Sequence, residues 1–163
     1  MTKEHIKLIA KNKKARHDYF IEDKFEAGIQ LLGTEVKSMR LGKVNLKESY
    51  VKIRNGEVYI YQMHIGAYPF AYYENHEPKR TRKLLLHKYE IKKLFGKINE
   101  KGAALIPLEA YFKDGKVKIE IAVAKGKKKY DKREAIKSRD QKRDMERSHY
   151  VSNKMGAKWL RRG

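Results

Sequence analysis

Val51-Lys52-Ile53-Arg54-Asn55-Gly56-Glu57-Val58-Tyr59-Ile60-Tyr61 is the stretch on which the fold turns. Apolar and polar residues alternate on either side of Asn55-Gly56, a pair that supplies the positive φ angles of a type I′ turn. A two-residue hairpin closed there sets Arg54 against Glu57, Ile53 against Val58, Lys52 against Tyr59 and Val51 against Ile60. One face of the ribbon is aliphatic and fit for a core; the other is basic and aromatic. Residues 108–123 repeat the arrangement around Asp114-Gly115. That turn pairs Phe112 with Val117 and Ala110 with Ile119, and sends Tyr111 and Lys118 to the opposite face. Residues 18–32 read as another long strand, bent at Gly28, and residues 83–87 as a short one.

Two helices are expected among these strands. Residues 87–101 carry Ile91, Leu94, Phe95 and Ile98 at helical spacing, and residues 33–41 open with Thr34 as a cap and stop at Gly42. Several short strands with few helices form a small antiparallel barrel more readily than a single open sheet, which would leave one face uncovered. An oligonucleotide-binding (OB) barrel is the common way to close five or six of them. The expected fold is therefore mainly β: an OB-fold-like antiparallel β-barrel with two or three added helices and a basic C-terminal tail.

Charge draws the boundary of that tail. The chain has 163 residues, with 40 Lys and Arg against 20 Asp and Glu, a net charge of +20. Its mean hydropathy is −0.83 and its pI about 10.0. Residues 1–124 hold 25 basic and 15 acidic side chains and residues 125–163 hold 15 and 5, so each part carries +10. The second part is less than a quarter of the length, so its charge density is about three times higher, as in a solvated tail rather than a core. We read 1–124 as the barrel domain with a basic N-terminal arm at residues 11–17, and 125–163 as the tail, disordered when free.

The chemistry the chain lacks narrows its function. With no cysteine, disulfide scaffolds, zinc ribbons, iron–sulfur sites and thiol nucleophiles are excluded, and a reducing compartment is expected. No apolar run reaches the roughly 20 residues of a membrane span, and residues 1–17 lack a secretory apolar region, so a cytoplasmic location without membrane contact is expected. His5, His17, His64, His76, His87 and His149 make no zinc-protease spacing, and there is no phosphate loop, nucleophile elbow or dinucleotide fingerprint. Neither a catalytic site nor a cofactor or metal is expected.

What remains is basic and aromatic. Lys79-Arg80-Thr81-Arg82-Lys83 follows Tyr68, Phe70, Tyr72, Tyr73 and His76, and Lys125-Gly126-Lys127-Lys128-Lys129 opens the tail. Lysine and arginine neutralise phosphates, while rings and guanidinium planes stack on splayed bases; both serve RNA recognition. Each cluster alone is compatible with a solvated loop. Their repetition on one small chain favours an RNA surface.

Four ordered segments then carry a resemblance. They are Arg16-His-Asp-Tyr-Phe-Ile-Glu-Asp-Lys-Phe-Glu-Ala-Gly28, Gly33-Thr-Glu-Val-Lys-Ser38, Arg80-Thr-Arg-Lys-Leu-Leu-Leu-His87 and Ala124-Lys-Gly-Lys-Lys-Lys-Tyr-Asp-Lys-Arg133. In them the chain, from about Asn12 to Met145, resembles the bacterial SmpB (SsrA-binding small protein B) family. The resemblance implies an OB-type barrel that binds the tRNA-like domain of transfer-messenger RNA (tmRNA) and is not an enzyme. It implies delivery of alanyl-tmRNA, in a complex with elongation factor Tu, to the A site of a stalled ribosome for trans-translation. The barrel would stand in for an anticodon stem near the decoding centre, and the tail would enter the vacant mRNA channel.

Residue by residue, the resemblance places RNA contacts at Glu26, Leu85 and Lys118. Charge and motif add Arg16, His17, Lys37, Ser38, Arg80, Arg82 and Lys83, and the basic run adds Lys125, Lys127 and Lys128. Glu26 is either a solvated strand residue or a carboxylate that accepts from a base or orients a neighbouring cation. Leu85 is either barrel core or an apolar platform under an unstacked base.

In the tail, the ribosome-contacting residues are Tyr130, Asp131, Lys132, Arg133, Ile136, Arg139, Arg143 and Arg147. Lys132, Ile136, Arg139, Arg143 and Arg147 share one helical stripe. Its opposite-sign pairs are few and worth only a few tenths of a kcal/mol each, so an isolated helix there is marginal and RNA is expected to order it. Residues 149–162, with Trp159, depart from the family pattern. Two other functions fit the charge: a ribosomal or general RNA-binding OB protein, and a ribonuclease using His and Lys.

Overall fold

The computed structural model describes residues 4–71, 73–100, 102–127 and 129–160, with side chains of the last helix described for residues 132–148. Lys128 therefore lies outside the described residues, as do Tyr72, Lys101 and the side chains of Tyr130, Asp131 and Trp159. Two compact units divide the chain, residues 1–126 and 127–163. The second is a helix, α4, at Lys129–Leu160.

Both hairpins form in the expected register. Strands β4 (Tyr50–Arg54) and β5 (Glu57–Tyr61) pair Arg54 with Glu57 and Val51 with Ile60. Strands β8 (Ala103–Lys113) and β9 (Lys116–Gly126) pair Phe112 with Val117 and Ala110 with Ile119. At the two turns φ is +51° at Asn55 and +74° at Gly56, then +50° at Asp114 and +80° at Gly115, as type I′ geometry demands. β9 runs two residues past Ala124, so Lys125 and Gly126 belong to the barrel.

Closure comes from the remaining strands, β2 (Tyr19–Ile29) and β7 (Arg82–Leu85). The hydrogen-bonded order β8-β4-β5-β7-β2-β9 returns to β8 through the β8–β9 ladder, so six strands make a closed antiparallel barrel. Inside lie Ala27, Val51, Val58, Ile60, Leu84, Leu105, Ala110, Ile119, Ile121 and Val123, all buried. The one register slip in the β2–β9 ladder falls between Ile21 and Lys24, while Gly28, where a bend was expected, stays in register with both Leu85 and Lys118. Gly28 answers a different demand, because a Cβ on it would sit 3.3 Å from Leu85 Cβ.

The N-terminal arm is structured, which charge alone does not reveal. Strand β1 (Ile6–Lys11) pairs with the far half of β8, and helix α1 (Lys13–Asp18) lies over a second cluster of Ala15, Ile106, Leu108, Ala122 and Ala124. Buried Asn12 joins them: its Oδ1 accepts from Ala15 N at 3.2 Å, and its Nδ2 donates to the Pro107 carbonyl at 3.0 Å. Pro107 stands at the β8–β9 register shift, where a missing N–H is tolerated.

Helix α2 spans Gly33–Arg40 and α3 spans Lys88–Ile98. The expected Thr34 cap is not made: Leu32 is the N-cap without a side-chain bond, and the Thr34 hydroxyl meets His76 Nδ1 at 2.9 Å instead. The other end behaves as expected. Gly42, at φ +74°, donates to the Met39 carbonyl and Lys43 N to that of Ser38, a Schellman stop. Short strands β3 (Val44–Asn45) and β6 (His64–Ile65) form a separate pair beside the barrel.

Candidate nucleic-acid interface

Strand alternation puts Leu85, Gly28, Lys118 and Tyr111 in one row across the outside of β7, β2, β9 and β8, since Gly28 pairs with Leu85 and Lys118, and Lys118 with Tyr111. Glu26, two residues before Gly28, shares that face. Between this row and the start of α3 lies a groove of about 700 Å³ whose lining includes Glu26, Gly28, Leu85, His87, Glu90 and Lys118. The three residues placed by resemblance are thus brought together. Leu85 is 46% exposed, so it is not barrel core.

Glu26 is held in place by two donors. The Tyr111 hydroxyl donates to Oε2, and Lys113 Nζ approaches Oε1 at 3.3 Å. The Tyr111 bond, with help from Lys113 and Lys118, outweighs partial burial and holds the Glu26 carboxyl below its ordinary 4.5. Burial and the neighbouring carboxylate push the Tyr111 phenol up in turn. The groove therefore presents a fixed carboxylate acceptor, a cation at Lys118 and an apolar floor at Leu85 and Gly28. Lys113 carries no sequence motif; only its ladder position opposite Lys116, at the Asp114-Gly115 turn, points to it.

Two expected RNA contacts are inside the molecule. Arg82 is completely buried: Nε donates to Glu35 Oε2 at 2.8 Å, Nη1 to the Met63 carbonyl at 2.7 Å and Nη2 to that of Pro78 at 3.2 Å. Its guanidinium is spent on the fold, so it is not a surface contact. Ser38 is also buried, with no hydrogen-bond partner for Oγ among the described residues, and presents nothing to a ligand. Arg80 is intermediate, its Nε 2.8 Å from Glu35 Oε1 with a third of the side chain in solvent. Burial pushes the Glu35 carboxyl up, but Arg80 and Arg82 together outweigh it and hold the group below its ordinary value.

The remaining cations lie on the surface, each with a neighbour. Lys83 meets Glu57 at 2.9 Å, Lys125 meets Glu22 at 3.3 Å, and Arg16 meets Glu109 at 3.6 Å. His17 Nδ1 lies 2.8 Å from Asp18, and Lys37 Nζ lies 5.5 Å from the Tyr68 ring centroid. Exposed pairs of this kind are weak enough to exchange for phosphate. In α4, Arg133, Ile136, Arg139, Arg143 and Arg147 are exposed along the helix, and Lys132 is half-buried. Among the described residues no group of three or more His, Asp or Glu could hold a metal ion, and no helix is long and apolar enough to cross a membrane.

A closed antiparallel barrel with a half-apolar groove on its outer wall, where Lys116 and Lys118 stand with Glu26 and Glu90, is OB-fold-like. The model of the SmpB protein family matches residues 9–150. The SsrA-binding protein of Syntrophobacter fumaroxidans is 60% identical over 146 residues, covering 90% of this chain and 91% of that protein. The SsrA-binding protein of Lachnoclostridium phytofermentans is 57% identical over 153 residues, covering 94% and 99%. A chain in the solved structure described as "tmRNA-SmpB: a journey to the center of the bacterial ribosome" superimposes with a TM-score of 0.64 at 44% identity, covering 78% of this chain and 93% of that one. This chain belongs to the SmpB family.

Proposed function

We infer that this protein binds tmRNA through the Leu85–Gly28–Lys118 row and carries it to stalled ribosomes for trans-translation. The observation that carries this reading is the groove itself, where an ionised Glu26, Lys118 and the exposed Leu85 converge. Lys118 neutralises a phosphate and supplies affinity. Leu85 over a side-chain-free Gly28 gives a flat floor for a base that has left its stack, and Glu26 accepts from a base N–H, rejecting bases that lack one. The protein is a binding chaperone that performs no bond-making step, and it works in the cytoplasm.

The tail is the second half of this reading. We propose that α4, marginal as an isolated helix, is stabilised in the vacant mRNA channel, where the phosphates of ribosomal RNA screen the repulsion along Lys132, Arg139, Arg143 and Arg147. The barrel takes the place of an anticodon stem in the A site, and elongation factor Tu accompanies the alanyl-tmRNA complex. Titration of tmRNA at several salt concentrations tests the groove. Lys118→Ala lowers affinity and flattens the salt slope by about one phosphate, whereas Glu26→Gln lowers affinity with the slope unchanged. Two variants that both bind as wild type at moderate salt would show that this surface is not the site.

A further inference from the structure

Residues 66–81 join β6 to β7 without secondary structure of their own, and connections of that length inside a compact barrel usually have a task. The base of this loop is fastened firmly. Ile65 N donates to the Pro78 carbonyl at 2.9 Å, and Gly66 N to that of Lys43 at 2.8 Å. Buried His76 bridges the Ile65 carbonyl and the Thr34 hydroxyl, each at 2.9 Å. Asn75 closes the tip onto Tyr68, accepting from its N–H at 3.1 Å and donating to its carbonyl at 2.8 Å. At the far end of the loop Arg80, and just past it Arg82, are both held by Glu35 of α2.

On this base stand two largely exposed aromatic side chains. Phe70 is 68% exposed and Tyr73 99% exposed. Phe70 meets the edge of Tyr68 at 5.6 Å, and the Lys37 ammonium lies 5.5 Å from the Tyr68 ring centroid. Two large rings left in water oppose the hydrophobic effect, and a loop braced at both ends cannot fold them away. A cation beside rings on a chain of net charge +20 suits a partner that is both anionic and flat-faced.

We propose that Phe70, set against the Tyr68 ring that Lys37 adjoins, and the exposed Tyr73 form a second RNA site that stacks on an unpaired base. It is separate from the groove and rests on the RNA-binding reading given above. Helix α2 links the two sites: its Val36 lines the groove, while Thr34 and Lys37 touch the loop. Stacking tolerates any base, so this site adds affinity and fixes orientation, and sequence discrimination stays with Glu26. An unpaired base comes either from tmRNA or from ribosomal RNA, and both are probed.

The full chain carrying Phe70→Ala with Tyr73→Ala is titrated against tmRNA alone and against ribosomes stalled on a truncated message. Both residues are exposed, so the thermal midpoint stays at the wild-type value. Affinity for one of the two RNAs falls roughly five- to a hundredfold. The salt slope does not change, because no phosphate contact is lost, and Phe70→Trp with Tyr73→Trp restores binding. Loss in the tmRNA arm assigns the base to tmRNA; loss confined to the ribosome arm assigns it to ribosomal RNA. A double variant that binds both within about twofold of wild type overturns this proposal alone, and a wild-type chain that binds neither overturns the groove reading with it. A photocrosslinker at position 73 that labels only protein in the assembled complex also overturns it.

Discussion

Replacing Arg82 by lysine separates a structural arginine from an RNA-binding one. Lysine keeps the charge but replaces a planar fork by a single ammonium. Arg82 is wholly buried and its three nitrogens reach Glu35 at 2.8 Å, Met63 O at 2.7 Å and Pro78 O at 3.2 Å. An ammonium that keeps Glu35 leaves the Met63 carbonyl without its arginine donor and removes one of two donors from the Pro78 carbonyl, which Ile65 N still serves at 2.9 Å. A buried acceptor left unpaired costs about 1–3 kcal/mol, so Arg82→Lys destabilises the barrel by about that amount. A domain of this size has roughly 5–15 kcal/mol in all and shifts its midpoint by about 3–5 °C per kcal/mol, so a fall of about 3–15 °C is expected in thermal unfolding. At a temperature where both proteins are folded, tmRNA affinity and its salt slope are the same. A variant that melts within about 2 °C of wild type while its salt slope drops by about one phosphate would refute the argument and return Arg82 to the surface.

Three more outcomes follow from the same geometry. The Glu35 carboxyl is held below the 4.5 it has when unfolded, so the stability it contributes is present in full above that value and is lost as pH falls through the folded one; urea titrations of wild type and Glu35→Gln therefore converge on the acid side and differ most near neutrality. Gly28→Val places a branched side chain against Leu85, where even a Cβ would stand at 3.3 Å, so tmRNA affinity falls about tenfold or more while unfolding remains cooperative. Deleting residues 130–163 leaves tmRNA binding nearly intact and abolishes tagging on stalled ribosomes in a reconstituted translation assay; full tagging by the truncated chain would remove the tail from the mechanism.

The hairpins were legible because a turn with two positive-φ residues and a period of two leave only one register that buries every aliphatic. Asn55-Gly56 and Asp114-Gly115 each specify their ladders down to the partner residue. The edges of the barrel were less legible. β1 owes its place to the free far half of β8, and Thr34 left its capping role because His76, remote in sequence, offered a partner. Such contacts have no local signal. The basic arm read only as a run of cations because charge counts do not reveal that Asn12 and Ala15 are buried.

The sequence by itself determined the two ribbons, the basic character of the surface and the family, and through the family it named Glu26, Leu85 and Lys118. Only the tertiary structure decided which of Arg82 and Lys83 stands at the surface. The segment Arg82-Lys83-Leu84-Leu85 carries one cation and one leucine on each face, so alternation alone leaves both orientations open. Barrel closure settles it: Leu84 pairs with Val58 and Ile29 and points inward, which drags Arg82 inside with it and turns Lys83 and Leu85 out. An arginine there is tolerable only because Glu35 arrives from α2 to neutralise it, and a buried charge needs its partner in three dimensions rather than along the chain.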